Sequence, residues 1–224
     1  MKNNKVATIG LVCLLIASLT PSLFGDKFVD RVENSTEVYK ELINASDSSV
    51  PKNLLERCQC VVVIPHVVKA AFGFGGRNGN GIASCKNEKG SWSPPSFVKL
   101  TGGSFGFQIG VQASDLVLFI MTEKSAQGLL ESSFTLGADA SLAAGPVGRT
   151  VEADTDISFK AEIYAYARSK GLFAGISLAG ARLRADETAI RKFYGQDIEP
   201  RVILFDHKVP KFPSVAQRFQ AVLP

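Results

Sequence analysis

The chain has 224 residues, enough for one sizeable domain, and its 46% hydrophobic and 21% charged residues exclude a disordered chain. Its formal charge of +4 includes Lys2 and Lys5, and residues 26–224 carry only +2. That bias is too slight to suggest a nucleic-acid partner.

Residues 1–25, MKNNKVATIGLVCLLIASLTPSLFG, join a short basic start to an apolar run from Val6 to Leu19 and then to small or turn-forming residues. This is the layout of a secretory signal peptide, and the run is too short to span a membrane comfortably. The expectation is an exported chain, periplasmic or secreted, whose mature part is 26–224; an uncleaved segment would instead anchor it to a membrane. Export places the remaining cysteines, Cys58, Cys60 and Cys85, in an oxidising compartment. The expected disulfide is Cys60–Cys85, with Cys58 and Cys60 sharing one face of a strand. A zinc site from these three and His66 would need a second spaced pair that the chain lacks, so no metal is expected.

In DKFVDRVENSTEVYKELINA, the residues Phe28, Val32, Tyr39, Leu42 and Ile43 fall on one helical face. Such an amphipathic N-terminal helix lies either on its own domain or on a lipid surface. KNLLERC makes a short helix, and QCVVVIP reads as a buried strand. AFGFGGRNGNGIASC reads as two strands around a loop at Arg77–Gly81. FVKLTGGSFGFQIGVQ and DLVLFIM follow as strands, and Thr122 caps a short helix, EKSAQGLLES.

FTLGADASLAAGPVG, 134–148, reads as a strand with a larger apolar face and a small one. DTDISFKAEIYAYAR alternates cleanly, and LFAGISLAGARL is a further strand. Asp186 caps a helix, ETAIRKFYG, that Gly195 ends; PSVAQRFQAVL closes the chain as an amphipathic helix. Strands follow strands without intervening helices, which gives an α+β class: a single domain on an antiparallel sheet, with helices at both ends. Glycines on one face of several strands mark close backbone approach or sharp corners. The sheet is therefore strongly curved and glycine-rich, with barrel-like and layered versions both fitting the pattern. Asp139, on the small face of its strand, is expected to be a buried polar site in need of a partner, with Arg149 the candidate.

No phosphate-loop or dinucleotide fingerprint occurs, so no cofactor is expected. Gly102–Gly106 matches G-x-S-x-G, which would make Ser104 a hydrolase nucleophile, but the motif needs a strained strand-to-helix turn. The residues after Ser104 alternate as a strand, and His207 is the sole downstream histidine. No catalytic residue is assigned.

The runs VVVIPHVVKAAFGFGGRNGNGIASC, GGSFGFQIGVQASDLVLFIM, FTLGADASLAAGPVGR and YAYARSKGLFAGISLAGARL, in that order, resemble the SYLF domain family, also called a yeast-type actin-binding or lipid-binding domain. The resemblance covers 53–195. It implies a non-enzymatic module that contacts anionic phospholipid or phosphoinositide headgroups at a membrane surface. Eukaryotic relatives bind such membranes and some bundle actin, whereas bacterial relatives are exported; this chain resembles the exported kind, for which actin is not the expected partner. A structural or protein-interaction role in the cell envelope, without lipid, is the alternative. A headgroup site needs cations near apolar surface, and the candidates are Lys69, Arg77, Arg149 and Lys170.

Overall fold

The computed structural model describes residues 23–45, 50–146, 160–169 and 171–224. The expected signal segment lies almost wholly outside them, as do Arg149 and Lys170.

Among the described residues the sheet has seven strands: β1 (Cys60–Cys85), β2 (Ser96–Ile120), β3 (Phe134–Thr135), β4 (Leu142–Ala144), β5 (Ile163–Ser169), β6 (Leu172–Gly175) and β7 (Arg182–Ala185). Its spatial order is β3-β7-β2-β5-β4, with β1 on β2 and β6 on β5. Every pairing is antiparallel except β4 on β5. The helices are α1 (Leu23–Ile43), α2 (Lys52–Arg57), α3 (Glu123–Gln127), α4 (Glu187–Tyr194), α5 (Pro200–Leu204) and α6 (Ser214–Gln220). This is the α+β class, with a strongly curled, half-barrel sheet and helices in the N- and C-terminal regions.

Two strands of 26 and 25 residues dominate it. Straight, β1 would run about 85 Å, several times the roughly 16 Å radius of gyration of a compact chain of this size. The ribbon therefore folds over itself. Its register shifts between Ile64 and Val67, where Pro65 has no N–H to give and His66 takes a φ of 52°, and again between Ala71 and Gly73. The later half of β1 then crosses the earlier half in contact. A Cβ on Gly79 would stand 2.6 Å from Val67 Cγ2, and one on Gly81 would stand 2.1 Å from the Val63 carbonyl oxygen.

The Arg77–Gly81 segment, expected as a loop, is thus the middle of a strand: Arg77 pairs with Gly102 and Gly81 with Val98. Its glycines serve close approach of two backbones rather than a turn. The 134–148 segment differs in the opposite sense. Gly137, at φ 84°, turns the chain between β3 and β4, so one expected strand becomes two short ones. In LFAGISLAGARL only Leu172–Gly175 and Arg182–Ala185 are strand, and Leu172 is exposed while Phe173 is buried.

The curled sheet is covered on both faces, which is why its central strands are continuous apolar runs rather than half-polar alternations. On β2, Val117 and Phe119 join an outer cluster with Phe28, Tyr39 and Leu42 of α1, Ile190 of α4 and Phe219 of α6. Leu116, Leu118 and Ile120 join an inner cluster with Val62, Ile64, Leu100, Ile163, Leu178 and Leu183. Rings meet edge to face in the outer layer, Phe28 on Phe97 at 5.9 Å and Phe119 on Tyr166 at 5.7 Å. The apolar face of α1 therefore lies on its own domain, with Phe28, Val32, Tyr39 and Leu42 all buried.

Cys60 and Cys85 form a disulfide that ties the two ends of β1. Among the described residues Cys58 is the free cysteine. Cys58 and Cys60 do not share a face: Cys58 ends α2 and sits in the outer cluster, while Cys60 begins β1 and faces inward. Burial pushes the Cys58 thiol up to about 11, against the lowering influence of Lys86.

Asp186 caps α4 by accepting from the Ala189 N–H at 3.2 Å, and Gly195 ends that helix at φ 71°. It also pairs with Arg31 of α1 at 3.2 Å and Lys99 of β2 at 2.9 Å. Burial pushes this carboxyl up, but the hydrogen bonds from Lys99, Arg31 and Ala189 outweigh burial and hold it below its ordinary value. Such a group contributes in full above the ordinary carboxylate value of about 3.9, and the contribution is lost as pH falls through the folded value. Two outcomes are expected in urea unfolding. Gly81→Ala lowers stability by roughly 2 to 3 kcal/mol, whereas Gly103→Ala, where an added Cβ meets nothing within 4 Å, stays within about 0.5 kcal/mol. Below about pH 4, wild-type stability falls, and Asp186→Asn removes that part of the slope.

Candidate functional site

The fold-over of the β1–β2 ribbon brings together residues far apart along β1. Val67 and Lys69 precede the bend, and Arg77 follows it. All three line one cavity of about 370 Å³ at the open mouth of the curled sheet, within the size range of small-molecule sites. Gln112, Ser114 and Leu116 of β2 continue the same face beside them, followed by Ala167 and Ser169 of the paired β5, and the Gln112 amide donates to Ser169 Oγ at 3.4 Å. Leu172 and Ala174 of β6, with Ile176 and Leu178 beyond it, complete the lining. Val67, Leu116 and Leu178 are also members of the inner core cluster. The floor of the groove is therefore the barrel's own apolar interior.

Among the described residues its charged lining is cationic, Lys69 and Arg77, with no carboxylate. Two other hollows, of about 320 and 330 Å³, mix both signs, with Lys86, Arg201, Glu123 and Asp206 in one and Lys99, Arg184, Glu131 and Glu187 in the other. Arg77 is half-buried, and its Nε is buried without a hydrogen-bond partner. Desolvation lowers its pKa. An arginine so placed costs free energy unless an acceptor arrives from outside.

The rim is equally distinctive. The exposed large hydrophobic residues among those described are Val68 at 43%, Val111 at 77% and Leu172 at 71%. Val68 alternates with Val67 and Lys69, and Val111 with Gln112, so both face away from the groove, whereas Leu172 lines it. Of the three, Leu172 joins apolar exposure to the cationic mouth.

Behind the groove, Asp115 holds the geometry. It accepts from the His66 backbone N–H at 2.9 Å and from Arg168 Nε at 2.8 Å; Arg168 also pairs with Glu41 of α1. One carboxylate so fixes the first bulge of β1 and the end of the β2–β5 pairing.

Of the four cations expected from the sequence, Lys69 and Arg77 come together and Arg149 and Lys170 lie outside the described residues. Asp139 requires a correction. It is exposed, in the turn after Gly137, and its Oδ2 accepts the Thr135 N–H at 2.6 Å. The turn that splits the expected strand removes Asp139 from any buried face. The buried carboxylates are Asp115 and Asp186, and the sequence marked the second of these only as a helix cap. Ser104 pairs with Gly75 inside continuous β2, so Gly102–Gly106 lacks the strand-to-helix turn of a nucleophile elbow. His207 lies elsewhere, its ring against Asn87 and the Leu204 carbonyl. Among the described residues no group of three or more His, Cys, Asp or Glu is placed to hold a metal.

A family model described as "Ysc84: Las17-binding protein actin regulator" matches residues 101–224. The chain is similar to SH3 domain-containing YSC84-like protein 1 of Xenopus laevis, 39% identical over 164 residues, which are 72% of this chain and 49% of that protein. It is 35% identical over 180 residues to LAS seventeen-binding protein 3 of Saccharomyces cerevisiae, covering 79% of this chain and 39% of that one. With the human SH3 domain-containing YSC84-like protein 1 the figures are 34% over 163 residues, 72% and 47%. The chain spans about half the length, or less, of these relatives.

An arginine kept for a ligand rather than for stability has a signature in unfolding measurements. Arg77→Met retains the aliphatic length and removes the unpartnered donor. It is expected to leave stability unchanged or raise it by up to about 1 kcal/mol; a loss of more than about 1 kcal/mol in urea unfolding would show that Arg77 is structural.

Proposed function

The chain belongs to the Ysc84 (SYLF) family, and on that premise we propose that it is a non-enzymatic lipid-binding module that docks on anionic membrane surfaces through the groove at Lys69 and Arg77. The observation that carries the reading is the coincidence, at one mouth, of an unpartnered buried Arg77 Nε, a second cation, Lys69, and the exposed Leu172. Phosphate oxygens supply the acceptors that Arg77 lacks, and guanidinium–phosphate pairing is among the stronger charge-assisted contacts. Leu172 reaches the acyl boundary once the cations meet the headgroups.

The matched family is described as actin regulators and the relatives carry Las17-binding and SH3 names. Those words favour a protein partner as the second reading. The export expected from residues 1–25 belongs to the proposal: the groove would then face the lipids of an envelope rather than of a cytoplasm.

Co-sedimentation with vesicles separates the readings. Binding to phosphatidylglycerol or phosphoinositide vesicles is expected, weaker as salt rises from low to moderate, and absent with neutral phosphatidylcholine. The Lys69→Ala, Arg77→Ala double variant is expected to lose at least tenfold in vesicle affinity. Wild-type protein that sediments with no vesicle at any salt concentration would overturn the lipid reading in favour of a protein partner.

A further inference from the structure

The groove is deeper than headgroup contact requires. Cations alone, on a flat face, suffice to hold a protein on an anionic bilayer. Here the cations stand at the entrance of a cavity whose floor belongs to the apolar interior of the sheet. Val67, Leu116 and Leu178 are nearly completely buried and yet line it. Leu172, at the opposite extreme, lines the same cavity while 71% exposed. A continuous apolar path therefore runs from solvent at Leu172 to core at Leu178, and the polar groups of the lining include Lys69, Arg77, Gln112 and Ser169.

Charge and shape complementarity together select the occupant. An inorganic anion would satisfy Arg77 and leave the apolar floor unused. A neutral hydrocarbon would fill the floor and leave the buried Arg77 Nε without an acceptor. An amphiphile with one aliphatic chain and an anionic head does both. Closed and half-closed β-sheets of this size hold one small ligand in the mouth of their interior.

We propose that the groove takes up a single-chain anionic amphiphile, such as a fatty acid or a lysophospholipid, with its head on Lys69 and Arg77 and its chain against Leu172, Ala174 and Ile176. This rests on the lipid reading and goes beyond it: the protein receives one acyl chain out of the aqueous or bilayer phase, rather than only resting on headgroups. The walls are held by Asp115, through the bulge at His66 and through Arg168, so the cavity is formed before the ligand arrives.

The test uses the full chain and three soluble probes below their micellar concentrations: dodecyl phosphate, octyl phosphate and inorganic phosphate, followed by calorimetry. Dodecyl phosphate is expected to bind one to one. Each methylene that enters the groove gains about fourfold in affinity, so octyl phosphate binds at least tenfold more weakly and phosphate alone more weakly still. Dodecanol, without the anion, is expected to lose at least tenfold. Palmitate and lysophosphatidylglycerol then tell whether a carboxylate or a phosphodiester head is preferred. Ala174→Trp fills the groove from edge strand β6 without touching either cation. It is expected to lower dodecyl phosphate affinity at least tenfold. Wild-type protein that binds anionic vesicles but no soluble amphiphile, or binds the phosphates with no dependence on chain length, overturns this inference and leaves surface docking standing. Failure of both vesicles and amphiphiles overturns the two together. The chain-length series on wild type decides the matter even if Ala174→Trp does not fold.

Discussion

The contact on which the rest of the molecule depends is the crossing of β1 over itself. Gly79 and Gly81 lie against Val63, Ile64 and Val67 with no room for a side chain, and that approach converts two very long strands into the walls of a half-barrel. The hydrophobic effect supplies the drive, because the bend encloses the inner cluster. Sterics set the place, because the second crossing segment must be glycine where the first is β-branched. The Cys60–Cys85 disulfide secures the same bend by joining the two ends of the strand within the inner cluster.

The functional geometry is a by-product of this crossing. Lys69 and Arg77 are eight positions apart, and on a straight strand they would be separated by about 26 Å. Folded over, they border one groove. The Asp115–His66–Arg168 contacts then hold the bulge that begins the bend, and Glu41 extends the same network to α1. The helical layer and the groove are in this way mechanically continuous, although they occupy opposite faces of the sheet.

Stability and binding pull against each other at Arg77. A half-buried guanidinium with a buried, unpartnered Nε costs free energy in the unliganded fold. Asp186 illustrates the alternative: a buried charge surrounded by Arg31, Lys99 and the α4 N-terminus is satisfied within the chain. The two charges differ in that Asp186 is satisfied within the chain, whereas the Nε of half-buried Arg77 is not.

Much was legible from local pattern. The amphipathic face of α1, the Asp186 cap and Gly195 stop of α4, the final helix, the curved glycine-rich sheet and its α+β class all follow from periodicity and from residues whose conformational preferences act within a few positions. Asp139 and the Arg77–Gly81 segment were misread for a common reason. Glycine signals either a turn or a close approach, and which one holds depends on what lies across from it. At Gly137 the left-handed φ makes a turn inside an apparent strand; at Gly79 and Gly81 a distant stretch of the same strand makes a crossing inside an apparent loop. Likewise the sequence by itself determined which cations were available, but only the tertiary structure decided that Lys69 and Arg77 share a groove with apolar walls. Side-chain identity is local information, whereas the meeting of residues across a bent ribbon is a property of the long-range contacts that bend it.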